Sequence, residues 1–288
     1  MSKVYGSKQA LNSVSFAIER AEIFGLLGPN GAGKTSLISI LTSLEQPSSG
    51  QAYIFAKDVR ENNKHIKTQI GVVPQELVNH GFFTVREVLE FQSGYFGLKN
   101  NKARIDDLLE RLKLADVQRK RILQLSGGMR RRFMIAKALV HEPKILLLDE
   151  PTAGVDLELR LSLWDFVTDL NRKGLTILLT THYLEEAQTL CDRIAILNRG
   201  ELKCLGKTKD IISSLTTRKI RILLKGPIPD FEHPYLRKIL GQTLEFHIPA
   251  QMEFGSLLAQ IPCRLENLAD IQMEEGNLEE AMIQILKS

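Results

Sequence analysis

Residues 28–35, GPNGAGKT, have the types and the spacing of a loop that binds phosphate groups. The glycines allow the backbone to wrap closely enough for its N–H groups to surround phosphate oxygens. We predict that the ammonium group of Lys34 binds the terminal phosphates and that the hydroxyl group of Thr35 binds Mg²⁺. The residues predicted to surround the phosphates are Gly28, Pro29, Asn30, Gly31, Ala32, Gly33, Lys34, Thr35 and Ser36.

The surroundings of this loop favour phosphate binding over an ordinary glycine turn. A buried strand is predicted in EIFGLLG before the loop, and a helix is predicted in KTSLISILTSL after it. The N-terminus of such a helix places the positive end of its dipole beside a bound phosphate. We therefore expect a polyphosphate ligand, which suits the mildly basic net charge of +4.

Two acids follow the apolar run ILLL at residues 145–148. Ligands of open α/β sheets lie at the carboxyl ends of the strands, where Asp149 and Glu150 are predicted to be. We predict that Asp149 holds Mg²⁺ through water and that Glu150 polarises the attacking water as a general base. The alternative is a pair of acids that only caps a strand at a solvated turn, and the phosphate loop in the same chain argues against it. The two motifs together predict a nucleotide-hydrolysing site.

Two further polar residues follow predicted strands. His182 ends LTILLTTH, and we predict that it senses the terminal phosphate, although a lone histidine more often has a structural role. Gln75 follows TQIGVVP and precedes a helical segment. Gln75 is predicted to contact the metal or the attacking water and to respond to movement of that segment. The alternative for Gln75 is a residue without a part in the chemistry.

The segment LSGGM at residues 125–129 stands at the start of a predicted helix and has two glycines where helix amides need acceptors. We expect these backbone N–H groups to be uncapped and therefore open to an anion. The next residues, Arg130, Arg131 and Arg132, are unusual in a first helical turn because cations oppose the helix dipole. A solvated face is the favoured interpretation of these arginines, ahead of a direct phosphate contact.

The elements that must position these residues alternate between buried strands and helices. This pattern predicts an α/β fold, a phosphate-loop NTPase core with a mostly parallel sheet, antiparallel N-terminal strands and a helical insertion. One N-terminal strand is predicted in VSFAI, residues 14–18. We predict a nucleotide-binding domain at residues 1–210, with a helical subdomain at about 78–142, and a small α+β module at residues 211–288.

The C-terminal module is predicted from its hydrophobic periodicity. RKIRILLK and TLEFHIPA alternate between apolar and polar residues and predict half-buried strands, and NLEEAMIQILKS predicts an amphipathic helix. The module has no cluster of catalytic residue types. We therefore expect it to support packing or dimerisation rather than chemistry.

The composition indicates an ordinary globular protein, with 43% hydrophobic and 25% charged residues. No apolar run approaches the roughly 18–20 residues of a membrane helix, so a membrane role would need a partner. Cys191, Cys204 and Cys263 show no C-x-x-C spacing, which argues against disulfides and zinc and favours reduced thiols. The weak, dispersed positive charge also argues against a nucleic acid partner.

Over residues 3–210, the chain resembles the ATP-binding subunits of ATP-binding cassette (ABC) transporters. The resemblance rests on GPNGAGKT, Gln75, LSGGM, ILLLDE, AGVD and His182, which stand in that family's order. It implies an ATPase that uses ATP and Mg²⁺, a helical subdomain that carries LSGG, and head-to-tail dimers that enclose two ATP molecules. The residues that it adds to the ATP site are Tyr5, which would stack on adenine, Ser126, Gly127 and Gly128, which would meet the phosphate held by the other chain, and Asp156.

Two features depart from the family's pattern. Met129 stands where many members have glutamine, while the serine and the glycines of that motif are kept. The chain begins four residues before Tyr5, where the family usually has a whole strand, so we expect either a truncated start or weaker support for the adenine contact.

The segment after residue 210 resembles the small C-terminal module of cassettes from drug- and polysaccharide-export systems.

The resemblance therefore predicts an ATP-hydrolysing subunit that drives a separate integral membrane permease for export. It implies a peripheral protein at the cytoplasmic face of the cell membrane that pairs with a second copy of itself or with a homologous subunit. The alternative is a soluble cassette ATPase that acts as a clamp on nucleic acid or ribosomes, but such proteins usually carry two cassettes or a long coiled coil. A kinase or GTPase is disfavoured because LSGGM is present and the guanine motif N-K-x-D is absent.

Overall fold

The computed structural model describes residues 1–61, 64–76, 81–226, 228, 231–262 and 265–287. The chain divides into two compact units, Met1–Leu205 and Gly206–Ser288. Residue 78, where we predict the helical subdomain to begin, and Cys263 lie outside the described residues. Cys191 is buried and Cys204 is half-buried. The assignment of residues 1–210 and 211–288 to separate functional domains stays a prediction.

Strands and helices alternate through the first unit, as the α/β pattern requires. The strands up to residue 207 are β1 (Lys3–Tyr5), β2 (Lys8–Leu11), β3 (Ile23–Leu27), β4 (Tyr53–Ile54), β5 (Lys57–Asp58), β6 (Ile70–Val73), β7 (Ile145–Asp149), β8 (Thr176–Thr180), β9 (Arg193–Asn198) and β10 (Glu201–Lys207). The helices are α1 (Lys34–Leu41), α2 (Lys64–Thr68), α3 (Val85–Tyr95), α4 (Lys102–Arg111), α5 (Gly127–Leu139), α6 (Leu157–Arg172) and α7 (Leu184–Leu190). Across the described ranges of the chain, no helix is both long and apolar enough to traverse a bilayer.

The central sheet has the strand order β10, β9, β3, β8, β7, β6. The pairs β3–β9, β3–β8, β7–β8 and β6–β7 are all parallel, whereas β1 and β2 form an antiparallel hairpin. Every residue of β3 and β8 is buried, which explains why their sequences are nearly continuous apolar runs. Because parallel neighbours end at the same edge, the loops after β3, β6, β7 and β8 all leave from one edge of the sheet. The predicted α/β core is confirmed.

The prediction of a strand in VSFAI is wrong, because residues 14–18 belong to none of the strands in the described chain. Their apolar side chains still pack inward: Val14 is buried, and the ring of Phe16 stacks on that of Phe24 with centroids 5.2 Å apart. Apolar alternation reports which side chains are buried, whereas a strand also needs a hydrogen-bonded neighbour along its length.

The segment between β6 and β7 contains a helical cluster formed by α3, α4 and α5. α3 begins with a capping box: the Thr84 hydroxyl accepts from the N–H of Glu87 (3.3 Å), and the Glu87 carboxylate accepts from the N–H of Thr84 (2.8 Å). α5 lies close to β6, where a Cβ added to Gly71 would be 2.3 Å from the carbonyl oxygen of Ala138. The absence of a side chain at Gly71 therefore sets how near α5 comes to the sheet.

The second unit contains an antiparallel sheet with the order β12, β13, β11, β14. Its elements are α8 (Thr208–Leu215), β11 (Thr217–Leu224), β12 (Leu236–Leu240), β13 (Thr243–Pro249), α9 (Phe254–Leu258), β14 (Leu268–Glu274) and α10 (Leu278–Lys287). Alternate side chains of β11 and β13 form the core together with Leu257 and Ile261, and α8 packs on α10. The two strands and the amphipathic helix that we predict here are confirmed, and the role of the module stays a prediction.

We expect Gly71→Ala to lower the free energy of unfolding by about 1–3 kcal/mol, because the new methyl group overlaps the Ala138 carbonyl and forces α5 outward. Gly94→Ala is the matched control. Gly94 lies inside α3 with nothing within 4 Å of an added Cβ, so alanine should raise the free energy of unfolding by about 0.5–1 kcal/mol. Urea unfolding followed by circular dichroism measures both values, and equal stability of the two variants would contradict the close approach of α5.

Candidate functional site

The phosphate loop connects β3 to α1 at the carboxyl edge of the sheet. Gly33, the residue before α1, has a φ of 109°, and an added Cβ would be 2.6 Å from the carbonyl oxygen of Ala10 in β2. Only glycine fits both this backbone conformation and this approach. Gly33 also supplies no side-chain cap, so the first N–H groups of α1 keep their hydrogen-bonding capacity for an anion.

The side chain of Lys34 is held inside the loop. Lys34 is 7% exposed, and its ammonium group donates to the carbonyl oxygens of Gly28 (2.6 Å) and Pro29 (3.2 Å). Burial lowers the pKa of Lys34, and the negative charges of Glu150 and Asp149 oppose that effect. The cation of the phosphate loop therefore lies within electrostatic reach of both acids at the end of β7.

Thr180, at the end of β8, fixes the two acids. Its hydroxyl donates to the Asp149 carboxylate (2.5 Å), and its carbonyl and hydroxyl oxygens accept from the N–H of Glu150 at 3.0 and 3.1 Å. Glu150 has a φ of 47°, a left-handed conformation that costs a non-glycine residue about 1–3 kcal/mol. Such strain persists only where the surroundings hold it, and it is concentrated at functional sites.

The Glu150 carboxylate contacts the two other candidate catalytic residues, Gln75 and His182. Its Oε2 atom accepts from the side-chain amide of Gln75 (2.9 Å) and lies 3.3 Å from Nδ1 of His182. The three residues follow β6, β7 and β8, so the sheet edge brings them together from distant parts of the chain. Glu150 is buried, whereas Gln75 and His182 are exposed. The contact of His182 with a terminal phosphate stays a prediction.

A cleft of about 460 Å³ contains most of the candidate site residues. Its lining consists of Tyr5, Lys8, Ala10, Asn30, Gly31, Ala32, Gly33, Lys34, Thr35, Ser36, Gln75, Asp149 and Glu150. The volume is usual for a small-molecule site. A larger cleft of about 860 Å³ is lined mainly by apolar residues and contains none of the candidate catalytic residues. We therefore place the candidate site in the smaller cleft.

The LSGG residues and Asp156 do not line this cleft. The expectation of uncapped amides is wrong in one respect: Ser126 is the N-cap of α5, and its hydroxyl accepts from the N–H of Met129 (3.2 Å). Serine is among the preferred N-caps because its oxygen reaches an amide of the first turn. Ser126 and Gly127 are exposed, so this helix start is accessible to another molecule. Asp156 is likewise exposed and caps α6 by accepting from the N–H of Leu159 (2.8 Å).

The arginines after LSGG do not form one solvated face, which corrects the interpretation from sequence. Arg131 is 3% exposed, and its guanidinium donates to main-chain carbonyl groups. A signal was present in the spacing, because Arg131 precedes the buried residues Met134 and Ile135 by three and four positions. Arg131 therefore belongs to the buried face of α5.

Glu186 is a further residue of the site region that the sequence did not indicate. It is fully buried, and its carboxylate accepts from the indole N–H of Trp164 (3.0 Å) and from the hydroxyl of Thr152 (3.2 Å). Burial raises the pKa of Glu186, and its hydrogen bonds oppose that shift. Glu186 thereby connects the loop after Glu150 to α7, which follows His182. In the sequence, LEEA has the composition of a solvated helical turn and gives no sign of this role.

Known proteins are similar in sequence to this chain over most of its length. A family model described as ABC transporter matches residues 11–153. The chain is 34% identical to the linearmycin resistance ATP-binding protein LnrL of Bacillus subtilis, over 98% of this chain and 95% of that protein. It is 36% identical to the Nod factor export ATP-binding protein I of Rhizobium etli, over 93% of this chain and 90% of that protein.

Solved structures share its architecture. A structure described as the ATP-binding subunit of an ABC transporter has a TM-score of 0.69 and 29% identity, over 74% of this chain and 90% of that chain. A dimeric ATP-binding cassette in a post-hydrolysis state, bound to ADP and Pi, has a TM-score of 0.66 and 28% identity, over 72% of this chain and 96% of that chain. The chain therefore belongs to the family of ABC transporter ATP-binding proteins and is an ATPase.

Proposed function

We propose that this chain pairs with a second copy of itself or with a homologous ATP-binding subunit, encloses two Mg-ATP complexes, and drives a separate integral membrane permease for export. One observation supports the proposal: two groups of candidate ATP-site residues lie in different places on the chain. Lys34 and Glu150 line a cleft, whereas the helix start at Ser126 is exposed outside that cleft. A head-to-tail pair brings the helix start of each chain to the phosphates held by the other.

In this proposal, Glu150 accepts the proton of the attacking water. Its contacts with Gln75 and His182 both fall on Oε2, and we assign Oε1 to the water. Nδ1 of His182 lies within ion-pair distance of the same oxygen that accepts from Gln75, so that both neighbours orient the carboxylate. Lys34 and the N–H groups of the phosphate loop bind the terminal phosphates.

The donor atoms near Lys34 suit Mg²⁺, which prefers oxygen ligands. Thr35 offers a hydroxyl, Asp149 a carboxylate and Gln75 an amide oxygen, and all three line the same cleft. The hydrogen bond from Thr180 holds the Asp149 carboxylate in place. Bound Mg²⁺ would neutralise charge on the phosphates. Tyr5 lines the same cleft and offers its ring to the adenine base.

An exposed aromatic surface shortly after Gln75 in the chain supports a protein partner. Phe82, Phe91 and Tyr95 are 86%, 57% and 78% exposed, and Phe83 packs edge-on against Phe91 with ring centroids 5.1 Å apart. Clustered exposed apolar groups of this kind mark interaction sites. We assign this surface to the permease, which would hold the chain at the cytoplasmic face of the membrane. The relatives named for linearmycin resistance and Nod factor export support an export direction.

We expect Glu150→Gln to leave ATP binding intact and to slow hydrolysis by about 10²–10⁴-fold, because glutamine cannot accept the proton from water. ATP should then hold the variant as a stable dimer in size-exclusion chromatography. Glu142→Gln is the matched control, since the Glu142 side chain is 71% exposed, and it should hydrolyse ATP at the wild-type rate. Hydrolysis by Glu150→Gln at the wild-type rate would assign the general base to another group.

Two inactive variants test whether the helix start at Ser126 of each chain contacts the ATP held by the other chain. Lys34→Ala removes the cation of the phosphate loop, and Ser126→Arg blocks the helix start with a bulky side chain, so each homodimer has two damaged sites. In a mixed dimer, both lesions fall in one site if the helix start serves the partner's ATP. The second site is then intact, and we expect mixing to restore part of the ATP hydrolysis.

The control for mixing pairs wild type with a chain that carries both substitutions. If the helix start serves the partner's ATP, each site of this dimer is damaged once and the mixed dimer should be inactive. The baseline of this control is the ATPase activity of the wild-type homodimers that also form. Activity above that baseline, together with no recovered activity in the mixture of single variants, would contradict the proposed pairing.

We expect Phe82→Glu and Tyr95→Glu to weaken binding to membrane vesicles from the host cell by about tenfold or more, the effect of losing an interface hot spot. Leu44→Glu is the control, because Leu44 is 79% exposed and lies outside the aromatic surface. The ATPase activity of the chain without membranes should be the same in all three variants. Equal vesicle binding by all three variants would remove the aromatic surface from the proposal.

A further inference from the structure

Arg131 places a buried cation between α5 and the two loops that carry Gln75 and Glu150. All five N–H groups of a guanidinium are donors, and here each has a main-chain carbonyl oxygen as acceptor. Nε donates to one acceptor at 2.6 Å, Nη1 to two at 2.7 and 3.3 Å, and Nη2 to two more, one of them at 3.1 Å. In that order, the acceptors are the carbonyl oxygens of Pro151, Pro74, Gln75, Asp149 and Glu150.

These acceptors distinguish Arg131 from a member of a buried ion pair. A carboxylate would neutralise a buried cation most effectively, yet the hydrogen bonds of Arg131 go to carbonyl groups. Burial lowers the pKa of Arg131, and the charges of Asp149, Glu150 and Glu186 oppose that shift. The planar guanidinium is suited to holding several acceptors in one fixed arrangement. The contacts therefore favour a role in positioning the two loops.

The two loops that Arg131 contacts also contact each other through the side chains of Gln75 and Glu150. The main-chain carbonyls of Gln75 and Glu150 both accept from Arg131, and their side chains are joined by the 2.9 Å hydrogen bond to Oε2 of Glu150. Glu150 also has a left-handed backbone, which its surroundings must hold in place. Removing the guanidinium would remove the hydrogen bonds that join the main chains of the two loops through Arg131. The side-chain hydrogen bond between Gln75 and Glu150 would remain.

We propose that Arg131 is a positioning residue for ATP hydrolysis that holds Gln75 and Glu150 of its own chain in their reactive arrangement. Its place in the sequence suggests a different role, because Arg131 follows LSGG, which we assign to the ATP of the partner chain. The contacts direct Arg131 inward to its own chain's loops, so one helix serves two sites. The start of α5 faces the partner's ATP, and its next turn supports the chain's own catalytic pair. The assignment of the helix start rests on the proposed function.

The first test separates turnover from binding in the full-length chain. We expect Arg131→Gln and Arg131→Lys to lower kcat by about 10–100-fold, the effect of a misplaced catalytic group, while the Kd of a fluorescent ATP analogue stays within about twofold of wild type. Lysine keeps the charge, but its N–H groups diverge from one atom and cannot span both loops. Thermal unfolding measures whether each variant is folded at the assay temperature.

Arg132→Gln and Arg132→Lys are the matched controls on the same helix. Arg132 is half-buried, and among the described residues its guanidinium makes a long contact from Nη1 to the carbonyl oxygen of Leu112 at 3.4 Å. We expect these variants to keep kcat near the wild-type value. Wild-type kcat in folded Arg131 variants, or a loss of ATP binding as large as the loss of turnover, would overturn the positioning role. This test compares turnover with ATP binding and does not ask which chain supplies the helix start, so its failure is distinct from failure of the proposed function.

The second test locates the effect in one chain of the pair. In the mixed dimer of Lys34→Ala and Ser126→Arg chains, the working site takes its phosphate loop, Gln75 and Glu150 from the Ser126→Arg chain. We expect Arg131→Gln to lower the recovered activity by about 10–100-fold when it is added to that chain and to leave the activity in place when it is added to the Lys34→Ala chain. The reverse result would show that Arg131 acts on the partner's ATP and would overturn the inference.

Discussion

Parallel hydrogen bonding among β6, β7, β8 and β3 is the constraint on which the rest of the structure depends. Parallel neighbours end at a common edge, so four loops that are far apart in the sequence leave the sheet side by side. The phosphate loop, Gln75, Glu150 and His182 occupy these loops. No local feature of any single loop would bring the side chains together. Their meeting follows from strand order and register.

Strand order brings the loops near one another, and a second set of contacts gives them a defined arrangement. Thr180 holds Asp149 and the backbone of Glu150 from the neighbouring strand, and Arg131 holds the same region from α5. α5 can do this because Gly71 allows it to lie directly against β6. A left-handed residue at the end of β7 is therefore supported from the sheet and from the helical cluster, which is the condition under which backbone strain persists.

The chain separates the two kinds of phosphate contact that its motifs suggest. Lys34 lies within a cleft of its own chain, whereas Ser126 caps a helix whose start is exposed and does not line that cleft. Under the proposed function, this separation makes hydrolysis depend on association, because each site needs one part from each chain. The buried carboxylate of Glu186 links the loop after Glu150 to α7, so the exposed Asp156 lies in a segment that is attached to the candidate catalytic edge of the sheet.

Features governed by neighbouring residues were predictable from sequence. The glycines of GPNGAGKT, the apolar runs that precede it and the paired acids, and the amphipathic helices each follow from a backbone or burial rule that acts within a few positions. The same local rules misled where burial and pairing differ: VSFAI alternates like a strand but has no strand pairing, and RRR resembles a solvated turn although Arg131 is buried.

The sequence by itself therefore determined the fold class, the phosphate loop and which residue types stand at the ends of the strands. Only the tertiary structure decided which of those residues meet. Gln75 and Glu150 are 75 positions apart, and the hydrogen bond between them exists because β6 lies beside β7. The five carbonyl groups around Arg131 are likewise brought together by helix packing on the sheet. Contacts of this kind depend on how distant segments are arranged, and residue types along the chain do not encode that arrangement locally.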